Sequence, residues 1–364
     1  WGLDQSGPTF GAVLVDLDRD GRLDLVANGF EAPARLLHNQ AAGGHALAVQ
    51  LRGRTNQFGI GATVRVETSD GAQTRDLSLA HGFMSAGEPR LHFGLGTNVV
   101  VDRLVVTWPD GHRQEFKQVP ADACVTVSDS AGAAEAPTST PHLGPTLMEA
   151  SRGLDEFRHV PEVEDDFRRQ PLLPWKQSTW GPGLAFGDLD GDGRDELYLA
   201  GTVRQSGAFC RFASAGQPAV KLDCGVISDG SELAPLLLDA NGDGALDLLV
   251  AQSGSAGGLR LWLNDGRGHF APAPDATLPG RGEACGVVVA ADFDRDGAVD
   301  LFIGGRAIPG AYPQATPSRL LRNDGGRWVD VTAGSAPALA GAGLVTSGVW
   351  SDVDDDGWID LLVT

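Results

Sequence analysis

Asp16, Asp18, Asp20 and Asp24 stand at offsets 0, 2, 4 and 8 of one nine-residue stretch, with Gly21 at offset 5. The same spacing returns at Asp188, Asp190, Asp192 and Glu196, and at Asp239, Asn241, Asp243 and Asp247. It returns twice more, at Asp292, Asp294, Asp296 and Asp300 and at Asp352, Asp354, Asp356 and Asp360. Alternate oxygen side chains turn to the inside of a tight loop and a glycine permits the bend, which is the chemistry of a hard divalent cation. Position 7 of each loop would add a backbone carbonyl, from Arg22, Arg194, Ala245, Ala298 and Trp358. Oxygen donors without Cys or His favour calcium over zinc or copper. Magnesium suits the pattern less, because it keeps its waters and demands a regular octahedron. Asp and Gly are also good turn formers. Turn propensity accounts for one loop at a time, not for one five-point spacing repeated five times. Two departures matter: Glu196 is longer than Asp and has Asp195 beside it, and Asn241 removes a charge, so affinity is expected to be lower there.

An EF-hand needs Glu at loop position 12 between two helices. Position 12 here is Ala27, Leu199, Val250, Ile303 and Val363, all apolar and in strand-like surroundings. The fitting geometry is therefore a nine-residue loop with its own acid at position 9.

The elements that must position these loops are short apolar runs. From the second loop onward, the first Asp recurs after 51, 53 and 60 residues. A period near fifty with several short strands per unit marks a β-propeller or a similar array. Each unit reads strand, Asp loop, strand, then a hairpin such as Asn264-Asp265-Gly266 or Asn323-Asp324-Gly325, giving four strands and one blade. Residues 9–40 form one such unit. Residues 41–128 lack the acidic loop, and strands are expected at 46–51, 62–68, 75–79, 90–93, 99–108, 113–119 and 124–128. Asp70-Gly71 and Asp110-Gly111 mark turns there, which suggests a small β-sandwich or barrel. Residues 129–146 read as a linker and 147–175 as an extended lead-in.

The formal net charge is -20, and nineteen of the 48 acidic residues occupy the loop positions, so the acidity is local to the loops. Such a surface repels a phosphate backbone, which argues against nucleic acid as a partner. No apolar run reaches the length of a membrane span. The chain begins at Trp1 and reads as a fragment of a longer protein. Cys210 and Cys224 flank a turn at Gly216-Gln217-Pro218 and are expected to face each other across a hairpin as a disulfide, which would fit an oxidising compartment.

These repeats resemble the FG-GAP or VCBS family, the units of integrin α-subunit-like propellers. Phe10-Gly11 and Phe186-Gly187 match the first half of the family's motif, while Ala27-Asn28-Gly29, Ala200-Gly201 and Gly304-Gly305 stand in a degenerate second half. The resemblance carries metal-ligand roles to the five loops, with Glu196 and Asn241 as departures. Residues 45–128 resemble the ASPIC/UnbV domain through Asn56-Gln57-Phe58-Gly59-Ile60-Gly61-Ala62, Phe93-Gly94-Leu95-Gly96 and Val106-Thr107-Trp108-Pro109-Asp110-Gly111. The combination is similar to bacterial secreted repeat proteins and to the cartilage acidic protein family. It implies an all-β, calcium-binding protein that is secreted, periplasmic or on the cell surface. It also implies a parse: a blade over 1–40 ending one propeller, an ASPIC/UnbV-like domain over 41–128, a linker over 129–146, and the start of a second propeller over 147–364. One propeller interrupted by an inserted domain is the alternative.

Catalytic constellations are absent from the sequence. None of the eight His makes an HExxH pair, Gly-x-Ser-x-Gly does not occur, and Gly254-Ser255-Ala256-Gly257-Gly258 lacks the Lys of a phosphate loop. His81, His92 and His112 fall in the ASPIC/UnbV-like region and read as surface or strand-edge residues. Trp108, Trp175, Trp180, Trp262, Trp328 and Trp350 read as packing between blades in preference to a sugar platform. The expected function is non-enzymatic: adhesion or binding of a protein or carbohydrate at the cell surface, with calcium as a structural clip. The alternative is a propeller enzyme acting on polysaccharide or another surface polymer.

Overall fold

Val- and Leu-rich runs bounded by Gly, Pro and Asp become short strands, and the strands collect into seven sheets among the described residues. The computed structural model describes residues 9–29, 31–41, 43–129, 138–141, 154, 157–160, 165–177, 181–212, 219–222, 230–253, 257–274, 278–279, 283–354 and 356–364. Five sheets carry the acidic loops. The first holds Thr9–Val15, Asp24–Gly29 and Arg35–Leu37. The second holds Leu184–Gly187, Glu196–Leu199, Ala208–Arg211 and Val220–Leu222. The third holds Ser231–Leu238, Asp247–Ser253, Gly258–Asn264 and Phe270–Pro272. The fourth holds Cys285–Ala291, Asp300–Gly305, Arg319–Asn323 and Trp328–Asp330. The fifth holds Gly348–Ser351 and Asp360–Val363. Strands run antiparallel in chain order within each, as in propeller-like blades.

The register explains the spacing of the motif. In every blade the position-9 acid lies opposite the residue just before position 1: Val15 faces Asp24, Gly187 faces Glu196, Leu238 faces Asp247, Ala291 faces Asp300 and Ser351 faces Asp360. The acidic loop is thus the turn of a hairpin whose last acid is already on the return strand. Every residue of Ser231–Leu238 and of Asp300–Gly305 is buried, because these strands pack on both faces. This is why their apolar runs are unbroken and do not alternate.

Neighbouring blades share cores. Val13, Val15 and Val26 of the first blade pack with Leu184, Phe186, Leu197 and Leu199 of the second, and Leu154 and Phe157 of the lead-in close the same cluster. Phe302 of the fourth packs with Trp350 of the fifth. The first blade therefore sits directly against the second, although the intervening domain separates them in sequence. Hydrophobic pattern alone does not say which sheets become neighbours across the intervening domain.

The intervening domain is a sandwich of two sheets. One orders Arg113–Pro120, Val100–Thr107, Thr63–Thr68 and Gly71–Asp76; the other orders Thr138–Pro141, Ala123–Ser128, His45–Arg52 and Arg90–Gly96. Leu47, Val49, Val64, Val66, Phe93, Leu104, Val106 and Val125 fill the space between them. Two expectations shift. The strand placed at 75–79 runs instead over Gly71–Asp76, because Thr68 pairs Gly71 directly across the Asp70-Gly71 turn. Residues Thr138–Pro141, read as linker, add a strand antiparallel to Ala123–Ser128, since that edge offers a free backbone ladder to any extended segment.

The sandwich is fixed to the blades at two places. Ser85–Ala86 runs parallel to Leu184–Gly187 and extends the second sheet, while Ser85 Oγ accepts from Ala12 N–H of the first blade at 2.9 Å. The loop Arg54–Phe58 lies over the acidic loops of the third and fourth blades, and a cavity of about 380 Å³ remains between them. Gly297, at φ +90°, lies so close to Thr55 that a Cβ would come 2.1 Å from its Oγ1. Asn56 holds this loop in shape through paired hydrogen bonds with the Ile60 backbone, at 2.7 and 3.0 Å.

Candidate metal loops

One hydrogen-bond pattern shapes all five loops. The N–H at position 6 donates to Oδ2 of position 1, from Gly21, Gly193, Gly244, Gly297 and Gly357, at 2.8–3.0 Å. Those glycines have φ between +83° and +90°, a region a side chain rarely adopts. The N–H at position 5 donates to the position-3 side chain, and that of position 7 to position 5, again in every loop. Position 9 accepts from the position-2 N–H in four loops, at Glu196, Asp247, Asp300 and Asp360. The backbone thereby fixes one oxygen of most acids and gathers the carboxylates on one another.

That gathering is electrostatically costly without a cation. Burial, reinforced by neighbouring carboxylates, pushes Asp18 and Asp292 up to about 6. Burial pushes Asp247 up to about 7 and Asp300 up to about 8, despite the backbone N–H groups that oppose it. Asp24, Asp188 and Asp239 move in the same direction for the same first reason. Ligand-capable oxygens of Asp16, Asp18 and Asp20, of Asp188, Asp190 and Glu196, of Asp292, Asp294 and Asp300, and of Asp352, Asp354 and Asp356 lie within 4.8 Å of one another. In the third loop Asn241 replaces an acid, and its amide donates to Asp243 Oδ2 at 2.8 Å, which ties up one potential ligand atom.

Two loops contain a protein cation. Arg211 enters the second loop from the third strand of its blade: Nε donates to Glu196 Oε1 at 2.6 Å and Nη2 to Asp190 Oδ2. Burial works against the Arg211 charge, but these bonds more than offset it and hold the guanidinium protonated. Asp195 points away from the loop, toward Arg90 of the sandwich at 3.8 Å, where Glu88 also pairs with Arg90 at 2.9 Å. In the first loop Arg22 pairs with Asp20. Replacing Arg211 with Leu is expected to free the second loop and add one calcium ion per chain, read by elemental analysis after gel filtration. An unchanged ion count would mean that the guanidinium does not stand in for a cation.

Asn39, Asn264 and Asn323 lie outside the five-point acidic spacing but serve the same loops. Asn39 follows the third strand of its blade and Asn264 and Asn323 end theirs, and each donates its backbone N–H to the position-9 Asp at 2.8 Å. The side chains of Asn264 and Asn323 also donate to Leu189 O and Ala240 O, the position-2 carbonyls of the preceding blade. A recurring ending of a large apolar residue, any residue and Asn, as in Leu37-His38-Asn39, Trp262-Leu263-Asn264 and Leu321-Arg322-Asn323, is the signal that could have found them.

Other sequence expectations resolve simply. His92 bonds Glu88 at 2.8 Å, and His112 bonds Asp110 and stacks on Trp108, so each has its own carboxylate. Trp108, Trp262, Trp328 and Trp350 are buried in the cores, while Trp175 is exposed. Trp180 and Cys224 lie outside the described residues; Cys210 is buried on its strand opposite Lys221.

Residues 52–134 match the family described as ASPIC and UnbV, and residues 239–303 match the FG-GAP-like repeat. Cartilage acidic protein 1 of Mus musculus is 37% identical over 114 residues, covering 30% of this chain and 18% of that protein. The Homo sapiens protein of that name is 37% identical over 114 residues, covering 30% and 17%. That of Xenopus tropicalis is 36% identical over 106 residues, covering 28% and 16%. The matched region thus spans less than a fifth of these relatives' length. The chain is an all-β repeat protein that joins FG-GAP-like blades to an ASPIC and UnbV domain, and over part of its length it is similar to cartilage acidic protein 1.

Proposed function

We propose that this chain is part of an extracellular, non-enzymatic repeat protein in which calcium clips the loops of the third, fourth and fifth blades and firms the seat of the sandwich. One observation carries the reading: five loops share one backbone-to-carboxylate pattern, and four of them bring ligand-capable oxygens of three acids within 4.8 Å of one another, a concentration of charge that a cation balances. The loops beginning at Asp239, Asp292 and Asp352 offer oxygen alone, which suits calcium. Arg211 serves as the cation of the second loop. Because Arg54–Phe58 lies on the third and fourth loops, ions there also stiffen the contact with the sandwich. A protein or carbohydrate partner at the cell surface then meets either the outer sandwich or the face away from the loops. The relatives' name, with its reference to cartilage, supports an extracellular place. No helix among the described residues is long and apolar enough to cross a membrane.

Titration calorimetry against calcium and magnesium separates this reading from a generic acidic surface. Saturable calcium binding that equal magnesium does not displace is the expected result. Equal, weak heats for both ions would refute it.

A further inference from the structure

Two short turns meet at the end of the fourth blade away from its acidic loop, and their tips are apolar. Residues 165–177 of the lead-in form the first. The second, 306–316, follows the strand Asp300–Gly305 and closes through the Ile308 N–H, which donates to Gln314 O at 2.9 Å. Gln170 joins the two: its Nε2 donates to Tyr312 O and its Oε1 accepts from the Tyr312 N–H, each at 3.0 Å. Leu172 is 97% exposed and Trp175 53% exposed, and Phe167 and Ile308 are 37% and 38% exposed. Single exposed apolar side chains are ordinary, but a group of large ones on adjoining turns marks an interaction surface. Pro171 and Pro174 in the first turn, and Pro309 and Pro313 in the second, restrict the backbone around these tips. The shape is therefore set in advance, and little order remains to be imposed on binding.

We propose that these paired turns are a membrane-contact surface that inserts Leu172 and Trp175 into the headgroup boundary of a phospholipid bilayer. A protruding leucine has nothing to offer a sugar hydroxyl, whereas it gains from an acyl boundary, and tryptophan suits the interface itself. Arg168, Arg169 and Lys176 are exposed beside the apolar tips, where cations meet lipid phosphates. The two acids of this segment are engaged locally: Asp165 accepts from the Phe167 N–H at 3.2 Å and lies 3.7 Å from Arg168, and Asp166 accepts from the Gln177 N–H at 2.6 Å. Residues 306–318 contain no acid. The formal net charge of -20 does not forbid the approach. The strand Asp300–Gly305 sets the second turn roughly 20 Å from the fourth acidic loop, at about 3.3 Å per residue. That is more than two screening lengths of about 8 Å at physiological ionic strength. The inference goes beyond the calcium reading and needs no ion in any loop.

Vesicles of mixed phosphatidylcholine and phosphatidylserine are the probe, sedimented with the full chain at about 0.15 M salt. The chain is expected to sediment with them. Leu172→Glu changes a side chain already in water, so it should melt as the native chain does yet bind at least about tenfold more weakly. Lys176→Ser should weaken binding about fivefold. Phosphatidylcholine brominated on its acyl chains should quench tryptophan emission, and Trp175→Phe should bind like the native chain but lose that quenching. Failure to sediment would overturn the surface and leave the turns to a protein partner. Binding that chelator abolishes and Leu172→Glu does not would place the contact at the acidic loops, and would also overturn it. Calcium content is read separately, so the loop reading and this one can each fail alone.

Discussion

Chelating calcium is expected to lower the melting temperature of this chain by more than about 10 °C. The three oxygen-only loops hold eleven carboxylates at their ligand positions. Burial pushes Asp247 to about 7 and Asp300 to about 8, so near neutral pH the uncomplexed loops resist carrying their full charge. An ion that binds only the folded state stabilises it by about 2.7 kcal/mol when present at about 100 times its dissociation constant. Three such ions give roughly 8 kcal/mol, and each kcal/mol moves the midpoint of a domain of about 150–250 residues by about 2–4 °C. Loosening should be greatest where the sandwich loop Arg54–Phe58 lies on the third and fourth acidic loops. Calorimetric scans in calcium and in excess chelator provide the check. Coincident transitions would show that the loops hold themselves together without metal.

Asp300→Ala is expected to destabilise the chain by about 3–5 kcal/mol, and to do so even in chelator. Asp300 is fully buried and accepts two backbone N–H groups, from Phe293 at 3.1 Å and from Asn323 at 2.8 Å. Alanine leaves both donors unsatisfied beneath the fourth blade, and each orphaned group costs about 1–3 kcal/mol. Asn323 also ties the fourth blade to Ala240 O of the third, so the damage should extend across that joint. Asp356→Ala is the contrast. Asp356 is exposed in the fifth loop, where water can replace its contact with the Trp358 N–H. It should lose one calcium ion but shift the urea midpoint little in chelator. Equal shifts for the two variants would mean that position-9 acids have no structural role apart from the metal.

The acidic loops were legible in the sequence because their spacing is set by a local hairpin register, repeated five times. The fully buried inner strands were legible as unbroken apolar runs, and most sandwich strands as runs between Asp-Gly turns. Contacts made at a distance were not. Arg211 reaches Glu196 from across the blade, and His38 reaches Asp18 in the same way; each is an ordinary strand-end residue until the sheet folds. Gly297 reads as a loop glycine, yet it is also the surface on which Thr55 sits. The packing of the first blade on the second depends on Val13 and Phe186 sharing a core across the intervening domain, which no local pattern encodes.

The calcium content of the gel-filtered chain, measured by elemental analysis in calcium buffer free of other divalent ions, is the most direct test of the account. Three ions per chain are predicted, in the loops that begin at Asp239, Asp292 and Asp352, falling by one in Asp356→Ala. A chain that retains no calcium, or a count that Asp356→Ala leaves unchanged, would contradict it.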